Sequence, residues 1–236
     1  MRDIYNKLED NAFVEVDMNA FAYSQKYSWL FSVFIKFDSS KEDQDGYEEF
    51  LETKEALIIS LELDEKAKYV GMRVADGWSE LYFYAKFSKG LDKTVAQMLT
   101  PSNYIFESNV VKDTKWDFYQ YNLHPNELEL CHIQSEKIIE MLKEEDDINE
   151  EVRDVEHYVS FETPTQKDRF LENFDVDGFE FKDEVSTQEF ENGLAFIKKH
   201  SVTSDVVKVE VELMFEAVKK QNGFYEGWST ILVTNG

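Results

Sequence analysis

Asp205-Val-Val-Lys-Val-Glu-Val-Glu-Leu-Met-Phe-Glu-Ala-Val-Lys-Lys-Gln-Asn-Gly223 carries two periodicities at once. Val207, Val209, Val211 and Leu213 alternate with Lys208, Glu210 and Glu212, the period-two pattern of a half-buried strand. Val207, Val211, Met214 and Val218 also share one helical stripe, Asp205 is a good N-cap, and Lys219 to Gly223 has the basic last turn and glycine of a helix C-terminus. The ends favour a helix. With a helix here, the second half reads strand (Val155–Phe161), helix (Pro164–Phe174), strand (Phe179–Val185), strand (Leu194–Ser201), helix, strand (Tyr225–Val233). Thr163 is a favoured N-cap and Pro164 a favoured first helical residue. The order β-α-β-β-α-β is the split βαβ, or ferredoxin-like, arrangement.

Upstream, Glu144-Glu-Asp-Asp-Ile-Asn-Glu-Glu151 puts six acids in eight residues. Like charges resist compaction, so the run is expected as a linker between a domain at 1–143 and a second at 152–236. In the first domain Trp29 to Phe37 alternates as a strand, and Tyr47, Phe50, Leu51, Lys54, Ile58 and Leu61 form a helical stripe. Tyr69–Val74 and Glu80–Phe87 form a hairpin across Asp76-Gly77. A short helix near Lys93–Leu99, strands at Tyr104–Val111 and Trp116–Leu123, and a helix from Asn126 to Lys143 complete it. The class is α+β, two α/β sandwich domains.

The chain has 236 residues, 42% hydrophobic and 15% aromatic, enough for packed cores. Its net charge of −24 is spread along its length, with 26 Asp/Glu against 16 Lys/Arg in residues 1–143 and 17 against 9 in residues 152–236. Such a surface repels phosphate backbones, so direct nucleic-acid binding is not expected. A basic protein partner fits better, because opposite charge speeds encounter. One cysteine, Cys131, excludes an internal disulfide and suits a reducing compartment. No apolar run reaches the length of a membrane span and the start lacks a signal-peptide pattern, so a cytoplasmic protein is expected.

Asn173-Phe-Asp175-Val-Asp177-Gly178 to Glu184 has the ligand spacing of a calcium loop. Asn at its first position, charged Glu180 where an apolar residue packs, and strand pattern from Phe179 favour a helix-to-strand turn instead. Histidines 124, 132, 157 and 200 show no metal-ligand spacing. His157 lies mid-strand and His200 at a strand end, so the two can share a face. No nucleophile elbow, dinucleotide fingerprint or phosphate loop occurs. No metal, no cofactor and no catalytic residue is expected. Trp78, at the Asp76-Gly77 turn, and Trp228, after Glu226-Gly227, are candidate aromatic anchors on an acidic rim; packing of Trp228 under the last helix is the alternative.

Gly223-Phe-Tyr225-Glu226-Gly227-Trp228-Ser-Thr230 resembles the Tyr-Asp-Gly-Trp-x-Thr ending of the bacterial regulators of ribonuclease E activity of the B type. Arg153-Asp-Val155-Glu-His157, Gly178-Phe179 and Lys199-His200-Ser201-Val202 are similar to earlier segments of that family. Glu226 stands where the family has Asp. Gly77-Trp78 to Leu81-Tyr-Phe-Tyr84, with Asp113-Thr-Lys-Trp116-Asp-Phe-Tyr119, resembles an uncharacterised bacterial domain fused ahead of it. The resemblance implies a non-catalytic acidic regulator that binds and inhibits a basic partner, a ribonuclease. Tyr225, Glu226, Trp228, His157, His200 and Trp78 are then the expected partner-binding residues. An immunity-type protein neutralising a basic toxin, and an enzyme with an interdomain site, stand as alternatives.

Overall fold

The computed structural model describes residues 2–10, 12–37, 44–102, 104–186 and 191–234. It divides into two compact units, Met1–Pro125 and Asn126–Gly236, each described by itself.

The first unit contains β1 (Arg2–Asn6), β2 (Phe13–Asp17), β3 (Trp29–Ile35), α1 (Gln44–Glu62), β4 (Ala67–Ala75), β5 (Trp78–Ala85), α2 (Leu91–Leu99) and β6 (Phe106–Lys112). The sheet order is β1-β2-β4-β5-β3-β6, antiparallel throughout. Alternation sorts its side chains by face. Val33, Ile35, Leu81 and Phe83 join Phe50, Leu57 and Leu61 of α1 and Leu91, Val95 and Leu99 of α2 in one core. Tyr82 and Tyr84 point the other way, where Tyr84 stacks on Trp116 at 3.7 Å and Tyr82 meets Phe118 at 4.5 Å.

That second face explains a departure from expectation. Trp116–Leu123 is not a strand: Trp116 has φ of 60° and Tyr119–Leu123 forms a π-helical turn. The Asp113 carboxylate accepts the backbone N–H groups of Asp117 and Phe118, both at 3.0 Å, and the Tyr84 hydroxyl at 2.6 Å. Trp116, fully buried, donates Nε1 to the Tyr27 carbonyl. The alternating aromatics there are spaced by packing on a sheet face. The two N-terminal motifs of the sequence therefore meet in one structural cluster. β1 and β2 escaped expectation because Arg2–Asn6 is mostly polar, although Val14 and Val16 of β2 are completely buried.

The second unit contains α3 (Glu127–Glu144), β7 (Arg153–Ser160), α4 (Pro164–Glu172), β8 (Glu180–Val185), β9 (Gly193–His200), α5 (Ser204–Lys219) and β10 (Phe224–Thr230). The sheet order is β10-β7-β9-β8, every neighbour antiparallel. From β7 onward the order is β-α-β-β-α-β, as expected. The ambiguous stretch is helix α5, and Val207, Val211, Met214 and Val218 are completely buried. Thr163 caps α4 in a capping box with Gln166, and Asn126 caps α3 with Glu129.

The boundary departs from the sequence reading. The acidic run assigns α3 to the first domain, yet it packs on α5 and β10, and the second unit begins at Asn126. Nor is 144–151 a solvated linker. Glu144, Glu145, Asp146, Glu150 and Glu151 are exposed, but Asp147 turns inward onto buried Arg153, with both carboxylate oxygens accepting from the guanidinium at 2.6 and 2.8 Å. The Val233 N–H donates to the same carboxylate at 2.8 Å, and Ile148 pairs with Val233. One inward acid anchors a run whose other charges remain in water.

Candidate functional site

The C-terminal motif sits on a bulge in β10. Pairing with β7 shifts between Tyr225 and Gly227, so Glu226 is the extra residue. In a regular strand residues 225 and 228 face opposite sides of a sheet. The inserted residue turns both inward: Tyr225 lies opposite Val159, Trp228 opposite His157, and both are buried. Glu226 projects outward and accepts a hydrogen bond from Ser160. Gly227 has φ of 119°, and a Cβ there would meet nothing within 4 Å, so backbone conformation rather than space demands the glycine.

Trp228 is held from α3. Its Nε1 donates to Ser135 Oγ at 3.0 Å, and that hydroxyl donates to the Cys131 carbonyl at 2.8 Å. Beside it Cys131, Gln134, Lys137, Ile138, Tyr158 and Glu226 line a notch of about 360 Å³. Burial pushes the Cys131 thiol up to about 11. It is therefore a neutral thiol at physiological pH, not a nucleophile.

Behind the bulge runs a buried polar chain. The Tyr225 hydroxyl is 2.9 Å from His157 Nδ1, His157 Nε2 is 3.1 Å from His200 Nε2, and His200 Nδ1 is 2.7 Å from the Ser201 carbonyl. The last contact orders the rest. A carbonyl only accepts, so His200 carries its proton on Nδ1 and offers Nε2 as acceptor. His157 then donates from Nε2 and accepts at Nδ1 from Tyr225. Both imidazoles are neutral in this arrangement, since a second proton on His200 would set two N–H groups against each other and one on His157 would meet the Tyr225 O–H. Burial holds His157 down to about 3, with the neighbouring His200 adding to the fall, and burial also lowers His200. The Tyr225 phenol is pushed well above its ordinary value by burial and stays a donor.

Five of the six residues singled out in the sequence thus lie in the second unit, but four of them, Tyr225, Trp228, His157 and His200, are interior. They shape the bulge rather than present themselves to a partner, and Trp228 takes the packed position rather than that of an exposed anchor. Glu226 alone among the five is exposed. Trp78 belongs to the first unit, half-buried at the start of β5 across the turn from Ala75. Sequence reading missed Ser135 and Tyr158, for which a lone serine in a helix and a tyrosine in a strand give no signal. Asn173 is the C-cap of α4 and Glu180–Val185 a strand, so that segment is a helix-to-strand connection with Gly178 at φ of 78°. Among the described residues no group of three or more histidine, cysteine or acidic side chains gathers in metal-holding geometry. Among the same residues, no helix is long and apolar enough to cross a membrane.

Comparison with known families divides the chain much as the structure does. Residues 132–230 match the family described as regulator of ribonuclease activity B, spanning α3 through the bulged β10. Residues 6–124 match a family of unknown function, DUF695. No curated protein matches the chain. Among solved structures, that of an unknown protein from Galdieria sulphuraria is similar at 8% identity, covering 88% of this chain and 99% of that one, with a TM-score of 0.19. The chain belongs to the DUF695 family and carries a C-terminal half matching the regulators of ribonuclease activity B.

Proposed function

We propose that this protein is a non-catalytic acidic regulator whose C-terminal unit binds a basic protein partner of the ribonuclease E type and modulates its activity. The observation that carries this reading is the match over residues 132–230, which contains the whole bulge, Ser135 and the two histidines that support it, and the lining of the notch apart from Cys131. The charge supports the choice of partner. Exposed Glu226 stands at the bulge, and Glu144, Glu145, Asp146, Glu150 and Glu151 face water around the inward Asp147. Acids placed this way speed encounter with a basic surface, while close contact at the notch sets residence time. The interior histidines and Cys131 keep the site in shape and take no chemical part.

Binding of the purified full chain to a ribonuclease E-type enzyme, followed by surface plasmon resonance alongside RNA cleavage, tests the reading. Complex formation that weakens with salt, slower association for Glu226→Lys combined with Glu150→Lys and Glu151→Lys, and altered cleavage are the expected results. Capture of a basic toxin with no effect on the ribonuclease would move the partner. Turnover of a small molecule by the protein alone would end the regulatory reading.

A further inference from the structure

The first unit holds a cavity of about 1000 Å³ between α1 and the β1-β2-β4 side of the sheet, at the upper end of the size of small-molecule sites. Its lining is mixed: Asp10 and Arg73, paired with each other, and Asp76 share it with apolar side chains. Ile4 and Phe13 on the strands and Tyr47 on α1 are 57%, 40% and 41% exposed, and all three line it. Phe50 and Met72, both buried, form part of the floor. Large apolar side chains left open around one concavity mark a place of contact rather than scatter.

A buried ion pair also lies against this cavity. Lys54, 3% exposed, sets Nζ 2.6 Å from Glu15 Oε2, and both residues line the cavity. Glu15 is fully engaged: its other oxygen accepts from the Tyr69 hydroxyl at 3.0 Å and lies 3.5 Å from Arg2. Burial pushes the Tyr69 phenol well above its ordinary value, and Glu15 adds to the rise, so Tyr69 remains a donor. The ammonium is less fully used. An ammonium has three donors, and Glu15 is the partner of Lys54 among the described residues. A buried ion pair is a poor source of stability compared with apolar packing of the same volume. The unmet capacity at the floor is donor capacity, which an acceptor satisfies.

We propose that this cavity binds a small carboxylate with an apolar body, the carboxylate meeting the Lys54 ammonium and the body lying against Ile4, Phe13 and Tyr47. The lining of the site lies wholly in the first unit.

The test uses the full chain with isotope-labelled isoleucine and methionine methyl groups, titrated with hexanoate, benzoate and phenylacetate and with the matching neutral amides. Expected are shifts at the Ile4 and Met72 methyls and affinity about tenfold higher for each acid than for its amide, the scale of a charge-assisted hydrogen bond. The pair Lys54→Met with Glu15→Gln, which removes both charges, is expected to erase that preference. Should that variant not fold, Tyr47→Glu at the exposed mouth serves instead and is expected to weaken the acids more than the amides. Equal affinity for acids and amides, an unchanged preference in these variants, or no shift at Ile4 and Met72 overturns the proposal.

Discussion

Each unit buries a polar network, and the two are built on opposite terms. Under α1, Lys54, Glu15 and Arg2 keep formal charges beside an open cavity, with the neutral Tyr69 hydroxyl donating to Glu15. Behind β10, Tyr225, His157, His200 and the Ser201 carbonyl keep none, and every donor in the chain has its acceptor. A charged buried pair needs both members, because either one alone is stranded out of water. A neutral chain needs only that no extra proton arrive. The first network is therefore vulnerable to mutation and the second to acid.

The largest effect should come from breaking the charged pair. Lys54→Met leaves Glu15 without its ammonium and is expected to cost about 3–5 kcal/mol in urea unfolding, the scale for a half-removed buried pair. Adding Glu15→Gln should recover most of that loss. A double variant no more stable than the single one would remove the contrast between the networks.

Acid should act on the other side. The folded-state value of His157 lies at about 3, below the ordinary 6.5. Between those values the unfolded chain binds more protons, so stability falls as pH drops from about 6.5 toward 3, at up to about 1.4 kcal/mol per pH unit. Asp147, held below the usual carboxylate range first by its hydrogen bonds to Arg153, adds a loss only at the acid end, below its unfolded value near 4. Protection factors at β7 and β9, exchange rates corrected for the intrinsic pH dependence of amide exchange, should fall between pH 6.5 and 5, before Asp147 contributes. His157→Phe should flatten that window.

Smaller effects probe the bulge. Gly227→Ala forces a side chain into a left-handed backbone and should cost about 1–3 kcal/mol despite the open space around it. Trp228→Phe keeps the ring in the core but gives up the bond to Ser135, for about 1 kcal/mol. Exposed Glu226→Lys should change stability by no more than about 0.5 kcal/mol, read from the same unfolding curves.

How far these features were legible depended on whether the signal was local. α5 could be read because its cap and stop residues decide between two periodicities within one segment. The split βαβ order followed from it. Trp116 to Leu123 misled because aromatic alternation arises equally from pairing in a strand and from packing on a sheet face, and only Asp113 and Tyr84 distinguish the two. The acidic run misled for a similar reason: Asp147 is indistinguishable in sequence from its neighbours until Arg153 is placed beside it. Tyr225, Trp228, His157 and His200 were found as a set, but that Tyr225 and Trp228 both face inward depends on one inserted residue. The Lys54–Glu15 pair left no trace, since it joins residues 39 positions apart among 49 acids.

That inserted residue also bears on how such chains can diverge in length. Deleting Glu226 would straighten β10 and leave Tyr225 and Trp228 two positions apart, still on one face and still opposite Val159 and His157. Point substitution at 226 is open, because its side chain lies outside, and a one-residue gap there keeps both rings inward as well. The motif can therefore vary in letters and even lose its bulge without turning either ring outward, whereas a gap at Tyr158 in the facing strand β7 would put His157 and Val159 on opposite faces.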